Sequence, residues 1–268
     1  MSKSGMLQDK HAVVFGGGGS IGAAVAQELA TEGAEVFLAG RSPTSVEVIA
    51  EQITATGGQA HAEVVDALDA AAVDDYRDAV VQQAGSIDIE FNATGPRISE
   101  YGHGKPALEL AVEEFMTPVA TVLRSQFITA RAAARQMLEQ GSGVIIFLTA
   151  VPARAPLPGS SGIGAAYGAV ENVMRTMAIE LGPAGVRVVC LRTTANPDTR
   201  SIQETVEVRA KTMNITPEQA MARLVAGTML KVLPQAADTA KAAAFLASDR
   251  ARMMTGTVLN ASAGAVTD

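Results

Sequence analysis

The sequence has few of the residues that mark several classes of protein. It contains one cysteine, Cys190, and no tryptophan, and aromatic residues make up only 4% of its 268 residues. A single cysteine excludes an internal disulfide, which fits a reducing compartment, and we expect Cys190 to be buried in the apolar run VRVVCL. The three histidines are scattered without the spacing of metal ligands, so we expect no metal site.

Long apolar runs and an excess of positive charge are also missing. No apolar stretch approaches the ~20 residues of a membrane-spanning helix, and the polar start MSKSGMLQDK lacks a signal-peptide pattern. The net charge of −7 argues against a nucleic-acid surface and against a polybasic membrane anchor. We therefore expect a cytoplasmic protein that binds neither nucleic acid nor membrane.

What the sequence does contain is a regular alternation of apolar, β-branched runs with helical patterns. Several runs are apolar without alternation, as expected for strands that are covered on both faces. The pattern predicts a single α/β domain over 1–268, with a Rossmann-type doubly wound parallel sheet of about seven strands and helices on both faces. The candidate strands are 11–15, 35–40, 60–66, 87–93, 143–149, 186–192 and 257–261.

The segment 194–232 breaks this rhythm after the sixth strand and carries Met213, Met221 and Met229 between polar residues. In open α/β sheets, ligands lie beyond the carboxyl ends of the strands. Two interpretations are equally open. The segment is either a flexible lid over an apolar substrate or a helical hairpin that packs on the core.

A glycine-rich loop, FGGGGSIG, joins the first strand to the first helix. Glycines let the backbone approach a pyrophosphate, and the helix N-terminus favours its negative charge. Two registers are available, Gly17-x-Gly19-x-x-Gly22 and Gly16-x-x-x-Ser20-x-Gly22. Because the loop follows a strand and opens a helix, we favour dinucleotide binding over a purely structural turn.

The ends of the second and third strands carry candidate contacts to the adenosine part of a cofactor. Arg41 and Ser42 stand where NAD-selective sites usually have an acid, and they suit a 2′-phosphate. We therefore predict NADP(H) rather than NAD(H); the alternative for Arg41 is an exposed surface arginine. Asp66 is a candidate acceptor for the adenine amino group or a helix N-cap, a role that Asp69 could fill instead.

Four stretches together resemble the classical short-chain dehydrogenase/reductase family, and the likeness covers nearly the whole chain. FGGGGSIG is similar to its T-G-x-x-x-G-I-G loop, DIEFNATG to D-x-x-x-N-N-A-G, AAYGAVENVM to the Y-x-x-x-K helix, and AAFLASDRARMMTGTVLNASAG to its C-terminal signature. The resemblance selects the register with Ser20. It implies cofactor contacts by Gly16, Gly18, Gly19, Ser20, Ile21, Gly22, Arg41, Ser42, Asp66, Ala67, Asn92, Ala93, Thr94 and Gly95.

The resemblance also implies a mechanism. A hydride passes between nicotinamide and a carbonyl carbon, and a tyrosine transfers the proton. A lysine four residues later lowers the pKa of that tyrosine and binds the nicotinamide ribose, a serine holds the substrate oxygen, and an asparagine supports a water relay. This sequence matches the tyrosine at Tyr167, but it has Glu171 for the lysine, Ala150 (with Thr149 beside it) for the serine, and Val122 for the asparagine.

Glu171 lies one helical turn after Tyr167, and we expect its charge to make the phenol harder to ionise. Even at the ordinary pKa of ~10, about one tyrosine in a thousand carries phenolate at pH 7. Alcohol oxidation, which needs that base, should suffer more than ketone reduction, for which a neutral tyrosine can still donate. Alternative roles for Glu171 are a salt bridge with Arg175 and acceptance of hydrogen bonds from ribose hydroxyls.

The loop GPRISEYGHGKP after the fourth strand adds four polar candidates at the mouth of the cleft. They are Arg97, Tyr101, His103 and Lys105. A histidine between two glycines is more often solvated loop than catalyst, so none of the four is assigned a role from the sequence.

Two functions of different class follow. The first is an NADP(H)-dependent reductase that acts on a small carbonyl compound by an atypical mechanism, with Tyr167 as the acid, Thr149 on the substrate oxygen and Glu171 in the site. The second is an NADP(H)-binding protein without turnover that serves as a sensor or partner subunit. The resemblance also implies a homotetramer or homodimer through two long helices near 107–140 and 163–182.

Overall fold

In the computed structural model, which describes residues 5–267, the apolar runs pair into a seven-stranded parallel sheet. The strands are β1 His11–Phe15, β2 Glu35–Gly40, β3 Gln59–Val64, β4 Ile89–Asn92, β5 Gly143–Ala150, β6 Val186–Thr193 and β7 Val258–Ala261. Their order across the sheet is β3-β2-β1-β4-β5-β6-β7. The strands lie where the sequence predicts them, which confirms the fold class.

Nine helices connect or flank the strands within residues 5–267. They are α1 Ser20–Thr31, α2 Pro43–Ala55, α3 Ala70–Ala84, α4 Val112–Pro118, α5 Arg124–Gln140, α6 Ser161–Leu181, α7 Arg200–Met213, α8 Pro217–Ala226 and α9 Ala236–Ala247. The long helix predicted from about residue 107 instead begins at Val112, and a π-helical turn, Val119–Leu123, divides it into α4 and α5. Pro118, which has no N–H to donate, directly precedes that turn.

Apolar side chains cover both faces of the sheet in two layers. Val13 and Phe15 of β1 belong to the layer beneath α3, α5 and α6. Ala12 and Val14, the alternate residues of the same strand, belong to the layer beneath α1, α2 and α9. Because both faces are buried, the strands need apolar residues at successive positions, and the sequence shows no alternation there.

The segment after β6 folds into the helical pair α7 and α8. The two helices share a small apolar cluster of their own, made by Val206, Ala210 and Ala220. A Cβ on Gly104 would lie 2.7 Å from Cγ1 of Val208, so α7 also packs closely on the loop that follows β4. The segment is therefore helical and lies over the carboxyl ends of the strands.

Two kinds of feature are missing from residues 5–267. None of their helices combines the length and apolar character needed to cross a bilayer. Nor do any three histidine, cysteine, aspartate or glutamate side chains in that range come together as metal ligands would.

Candidate active site

A cavity of about 740 Å³ opens at the carboxyl ends of the central strands. Its wall joins three parts of the sequence that were predicted separately: the glycine loop, the residues after β4, and Tyr167 on α6. Residues of α7 and α8 form the outer side of the same cavity. The volume is ample for a ligand site, and the strand order reverses between β1 and β4, where such sites form.

The glycine loop forms a cradle of backbone at one end of this cavity. Gly16 has a φ of +73°, in the left-handed region that favours glycine. A Cβ on Gly22 would lie 2.2 Å from the carbonyl oxygen of Gly16, so the two backbones touch. Gly19 caps α1 without a side-chain hydrogen bond, which leaves the first-turn N–H groups of Ser20 and Ile21 available to an anion. This cradle fits the diphosphate of a dinucleotide.

The residues after β4 face the glycine loop across the cavity. Nδ2 of buried Asn92 donates to Oγ1 of Thr129 at 2.9 Å, and its Oδ1 accepts from the Thr94 N–H at 2.7 Å. These two bonds hold the chain that runs from Ala93 to Gly95 along the cavity wall. Asn92 therefore shapes the loop as well as lining the cavity.

The start of α2 lies against the glycine loop. A Cβ on Gly18 would lie 2.6 Å from Cβ of Ser45, whose hydroxyl donates to Oγ of Ser42 at 2.9 Å. Arg41, next in the chain, is exposed and stands outside the wall of the main cavity. Arg41 and Ser42 thus lie beside the cradle, where a ligand that extends beyond it would meet them.

Of the two aspartates that the sequence offered as an N-cap of α3, the structure uses Asp69. Oδ1 of Asp69 accepts from the N–H groups of Ala71 and Ala72 at 3.0 and 3.2 Å, so Asp69 is the N-cap of α3. Oδ1 of Asp66 accepts from the Leu68 N–H at 3.0 Å, and the side chain is otherwise exposed. Asp66 is therefore not used as a cap, and Ala67 after it is buried in the core.

Known proteins resemble this chain in sequence and in structure over nearly its whole length. A protein-family model described as enoyl-(acyl carrier protein) reductase matches residues 17–266. An uncharacterized oxidoreductase of Methylorubrum extorquens is 34% identical over 259 residues, which are 96% of this chain and 98% of that protein. A short-chain type dehydrogenase/reductase from Mycobacterium ulcerans has a TM-score of 0.87 and 26% identity, over 97% of this chain and 90% of that one. The chain belongs to the short-chain dehydrogenase/reductase family.

The cofactor class follows from the family. An NAD+-bound xylitol dehydrogenase has a TM-score of 0.89 and 25% identity to this chain, over 95% of this chain and 98% of that one. Short-chain dehydrogenases/reductases are oxidoreductases that bind nicotinamide cofactors and act on small molecules.

Three positions that the family resemblance matched to catalytic groups meet in the cavity. Tyr167, from the second turn of α6, is partly buried in its wall. Ala150 at the end of β5 and Val122 in the π-helical turn line the same cavity. The fold thus brings the three positions together, and of these side chains only the Tyr167 phenol can donate a proton.

The pKa of Tyr167 is raised, as expected, but not by the expected group. Burial raises the pKa of this phenol to about 12, and Cys190 adds a smaller effect in the same direction. The prediction that Glu171 makes Tyr167 harder to ionise is therefore right in direction and wrong in cause.

The carboxylate of Glu171 is engaged by an arginine on the neighbouring strand. Nε and Nη2 of Arg192 each donate to one oxygen of Glu171 at 2.8 Å, and both side chains are almost fully buried. The expected partner, Arg175, is half-exposed and lies 3.7 Å from Oε2. Glu171 is not part of the cavity wall. The placement of Glu171 on the cofactor ribose is therefore corrected: the side chain belongs to a buried ion pair.

Thr149 points away from the cavity. Its side chain is completely buried, and its Oγ1 donates to Oε1 of Glu171 at 3.1 Å and lies 3.2 Å from Sγ of Cys190. Successive side chains alternate across a strand, and Leu148 and Ala150 face the cavity. The prediction that Thr149 holds the substrate oxygen is wrong for this geometric reason.

Arg192 was missed at the sequence level, although the run VRVVCLRT carried a signal. A charged residue inside an otherwise apolar, buried strand requires a partner, and Glu171 supplies one.

The loop after β4 supplies part of the cavity wall. Arg97, Tyr101 and His103 line the cavity, as suggested, whereas Nζ of Lys105 is bound to Glu114 at 2.6 Å.

Proposed function

We propose that this short-chain dehydrogenase/reductase is an NADP(H)-dependent reductase of carbonyl compounds with an atypical site for proton transfer. The observation that carries the proposal is the convergence of the glycine cradle and Tyr167 on one cavity. When bound, the nicotinamide cofactor supplies the hydride. The glycine loop, from Gly16 to Gly22, and the loop from Asn92 to Gly95 would hold it.

Tyr167 is the proposed proton donor to the carbonyl oxygen. With a pKa of about 12, its phenol is neutral near pH 7 and retains the proton that reduction requires. Ala150 offers no hydroxyl to the same oxygen, so the substrate must be positioned by other groups of the wall. The mechanism is atypical in this sense: one side chain performs a task that the family distributes over several.

Two exposed side chains support NADP(H) over NAD(H). Arg41 and Ser42 lie beside the cradle, at the end of β2, and a guanidinium with a neighbouring hydroxyl suits a 2′-phosphate. Asp66, free of the capping role, is the proposed acceptor for the adenine amino group.

We also propose a lid and a self-association surface. Helices α7 and α8, within the segment 194–232, would close over the substrate. The outer faces of α5 and α6, with Phe127, Leu138 and Ile179 exposed, would form a homodimer or homotetramer.

A second candidate function is cofactor binding without turnover, as in a sensor or a partner subunit. The apolar side chains of Ala150 and Val122 favour it, because they leave the cavity without two groups of the family's chemistry. It is the weaker candidate, since Tyr167 still reaches the cavity.

One experiment separates the candidates and tests the cofactor. NADPH and NADH are titrated by fluorescence, and NADPH oxidation is then followed over a panel of ketones with wild type, Arg41→Ala and Tyr167→Phe. We expect NADPH to bind at least about tenfold more tightly than NADH and Arg41→Ala to remove that preference. Tyr167→Phe should lower ketone reduction about 10²-fold with unchanged NADPH affinity. Equal or tighter binding of NADH contradicts the cofactor assignment, and tight NADPH binding without oxidation supports the second candidate.

A further inference from the structure

The outer wall of the cavity carries an excess of positive charge. Arg97 comes from the loop after β4, Arg200 and Arg209 from α7, and Arg223 from α8. Among the described residues of the wall, Glu204 is the one acidic side chain. It is bound to Nε of Arg200 at 2.8 Å. The remaining three arginines leave this wall cationic in a protein that is acidic as a whole.

Arg209 differs from its neighbours because it is partly buried and lacks an acidic partner within residues 5–267. Burial lowers the pKa of its guanidinium, as expected for a cation that is partly withdrawn from water. A buried charge is costly unless another charge or several hydrogen bonds compensate it. An anion in the cavity would supply that compensation.

The position of Arg209 relative to Tyr167 indicates which ligand it serves. Arg209 and Tyr167 both line the cavity, and both lie within electrostatic range of Tyr101. Helix α7 reaches this place because Val208 packs on Gly104 in the loop after β4. The cradle for the cofactor diphosphate is formed by a different part of the wall, at the start of α1.

His103 adds a polar group to the same region. Its ring stacks edge to face with Tyr101 at a centroid distance of 5.7 Å. Burial and the charge of Arg209 lower the pKa of His103 to about 4, so the imidazole is neutral near pH 7. Its Nδ1 is buried with no hydrogen-bond partner among the described residues. His103 therefore lines the cavity as a neutral ring beside Tyr101.

We propose that the substrate carries an anionic group, a carboxylate or a phosphate, which Arg209 binds while the carbonyl group faces Tyr167. The proposal rests on the proposed reductase function and names its substrate class. Tyr101 and His103 border the anion site as neutral side chains. Arg97 and Arg223, which are exposed, raise the local potential without being buried against the ligand.

The test compares matched ketones. A series of keto acids of increasing chain length is assayed with NADPH beside the methyl ester of each acid and the keto phosphate of the same length. We expect kcat/KM for the acid or the phosphate to exceed that for the ester by about tenfold or more. Whichever anion is preferred distinguishes a carboxylate substrate from a phosphate substrate.

Variants assign the preference to Arg209. Arg209→Gln should lower kcat/KM for the anion about 10- to 100-fold and leave the ester within about twofold, whereas Arg209→Lys retains part of the preference. The control is Arg135→Gln, an exposed arginine on α5 that pairs with Asp74 outside the cavity; it should leave the kinetics unchanged. An ester used as well as its acid, with no selective effect of Arg209→Gln, overturns the inference but not the reductase function.

Calorimetry separates the inference from the proposed function. Binding of the reduced hydroxy acids to the NADP+ complex should be tighter than binding of their esters and should weaken with added salt. If this preference depends on Arg209 although no ketone is turned over, the anion site stands and the reductase proposal falls. If circular dichroism shows that Arg209→Gln does not fold, Arg209→Lys and the salt dependence of wild type test the anion site instead. Equal, salt-independent binding of acid and ester overturns the inference.

Discussion

The two ends of the cavity are built in different ways, one from backbone and the other from side chains. The cradle depends on Gly16 and Gly22 touching at a point where no Cβ fits. The end around Tyr167 depends on side chains, and the helix that carries Tyr167 also carries Glu171, which forms a buried pair with Arg192 of β6 outside the cavity wall. A site made of close backbone contacts does not tolerate larger residues in place of its glycines. A site made of side chains tolerates substitution as long as its buried charges stay paired. Four measurements test this difference between the two ends.

The largest effect should come from adding side-chain atoms to the cradle. Gly22→Val places its Cβ 2.2 Å from the Gly16 oxygen if nothing moves, so the loop must be displaced. We expect NADPH affinity to fall by at least about 100-fold in a fluorescence titration, because the first-turn N–H groups no longer converge on the diphosphate. Gly182→Ala is the control, since a Cβ at Gly182 meets no atom within 4 Å. Unchanged affinity in Gly22→Val would show that the cradle is not the cofactor site.

The next largest effect should be on stability, at the other end of the cavity. Glu171→Gln removes the charge that faces buried Arg192, and breaking such a pair costs about 3–5 kcal/mol of unfolding free energy. Urea denaturation should be measured for Glu171→Met, Arg192→Met and the double variant. We expect the double variant to lose less unfolding free energy than the two single variants lose in sum. Arg175→Gln, which removes the half-exposed partner, should cost less than about 1 kcal/mol. Additive losses in the double variant would contradict the ion pair.

These two regions also differ in how far the sequence predicts them. Short contiguous patterns predict the sheet, the glycine loop and the residues after β4. They do so because neighbouring residues determine the local backbone conformation and the burial of each strand. Helix spacing correctly indicated the longer ion pair of Glu171 with Arg175. It could not indicate the shorter, buried one, because Arg192 lies 21 residues away on another element. Thr149 and Ala150 differ by one position, and only the alternation of β5 decides which one faces the cavity.

The third measurement is the pH dependence of the two reaction directions, if the protein is the proposed reductase. A pKa of about 12 keeps Tyr167 protonated from pH 6 to pH 9, so ketone reduction should change little over that range. Alcohol oxidation needs the phenolate, whose fraction rises tenfold with each pH unit below the pKa. Its rate should therefore increase about 100-fold from pH 7 to pH 9. A plateau below pH 9 would reveal a cation that lowers the pKa of the tyrosine.

The smallest effect concerns an acid that, unlike Glu171, has no ionic partner in the described structure. Glu90 of β4 is buried, and this burial raises the pKa of its carboxyl from 4.5 to about 8. The folded state therefore holds this proton more tightly than the unfolded state. The stabilising contribution is complete below pH 4.5 and is lost as pH rises through 8.

Glu90→Gln tests this difference. Relative to the variant, wild type should lose on the order of 2 kcal/mol of unfolding free energy between pH 6 and pH 9. Urea denaturation of both proteins at the two pH values measures the loss. Parallel stability profiles for wild type and variant would show that Glu90 does not titrate in this range.

The pairing of Glu171 with Arg192 also has an evolutionary consequence. A lineage with this pair cannot place a lysine at position 171 through one substitution, because Glu171→Lys would set an ammonium against the buried guanidinium of Arg192. Arg192 would have to change first or at the same time. If Arg192 changed first, the buried carboxylate of Glu171 would lose its closest ionic partner. The two positions are therefore expected to be inherited together, and a relative with a lysine at position 171 should carry a neutral residue at position 192 on β6.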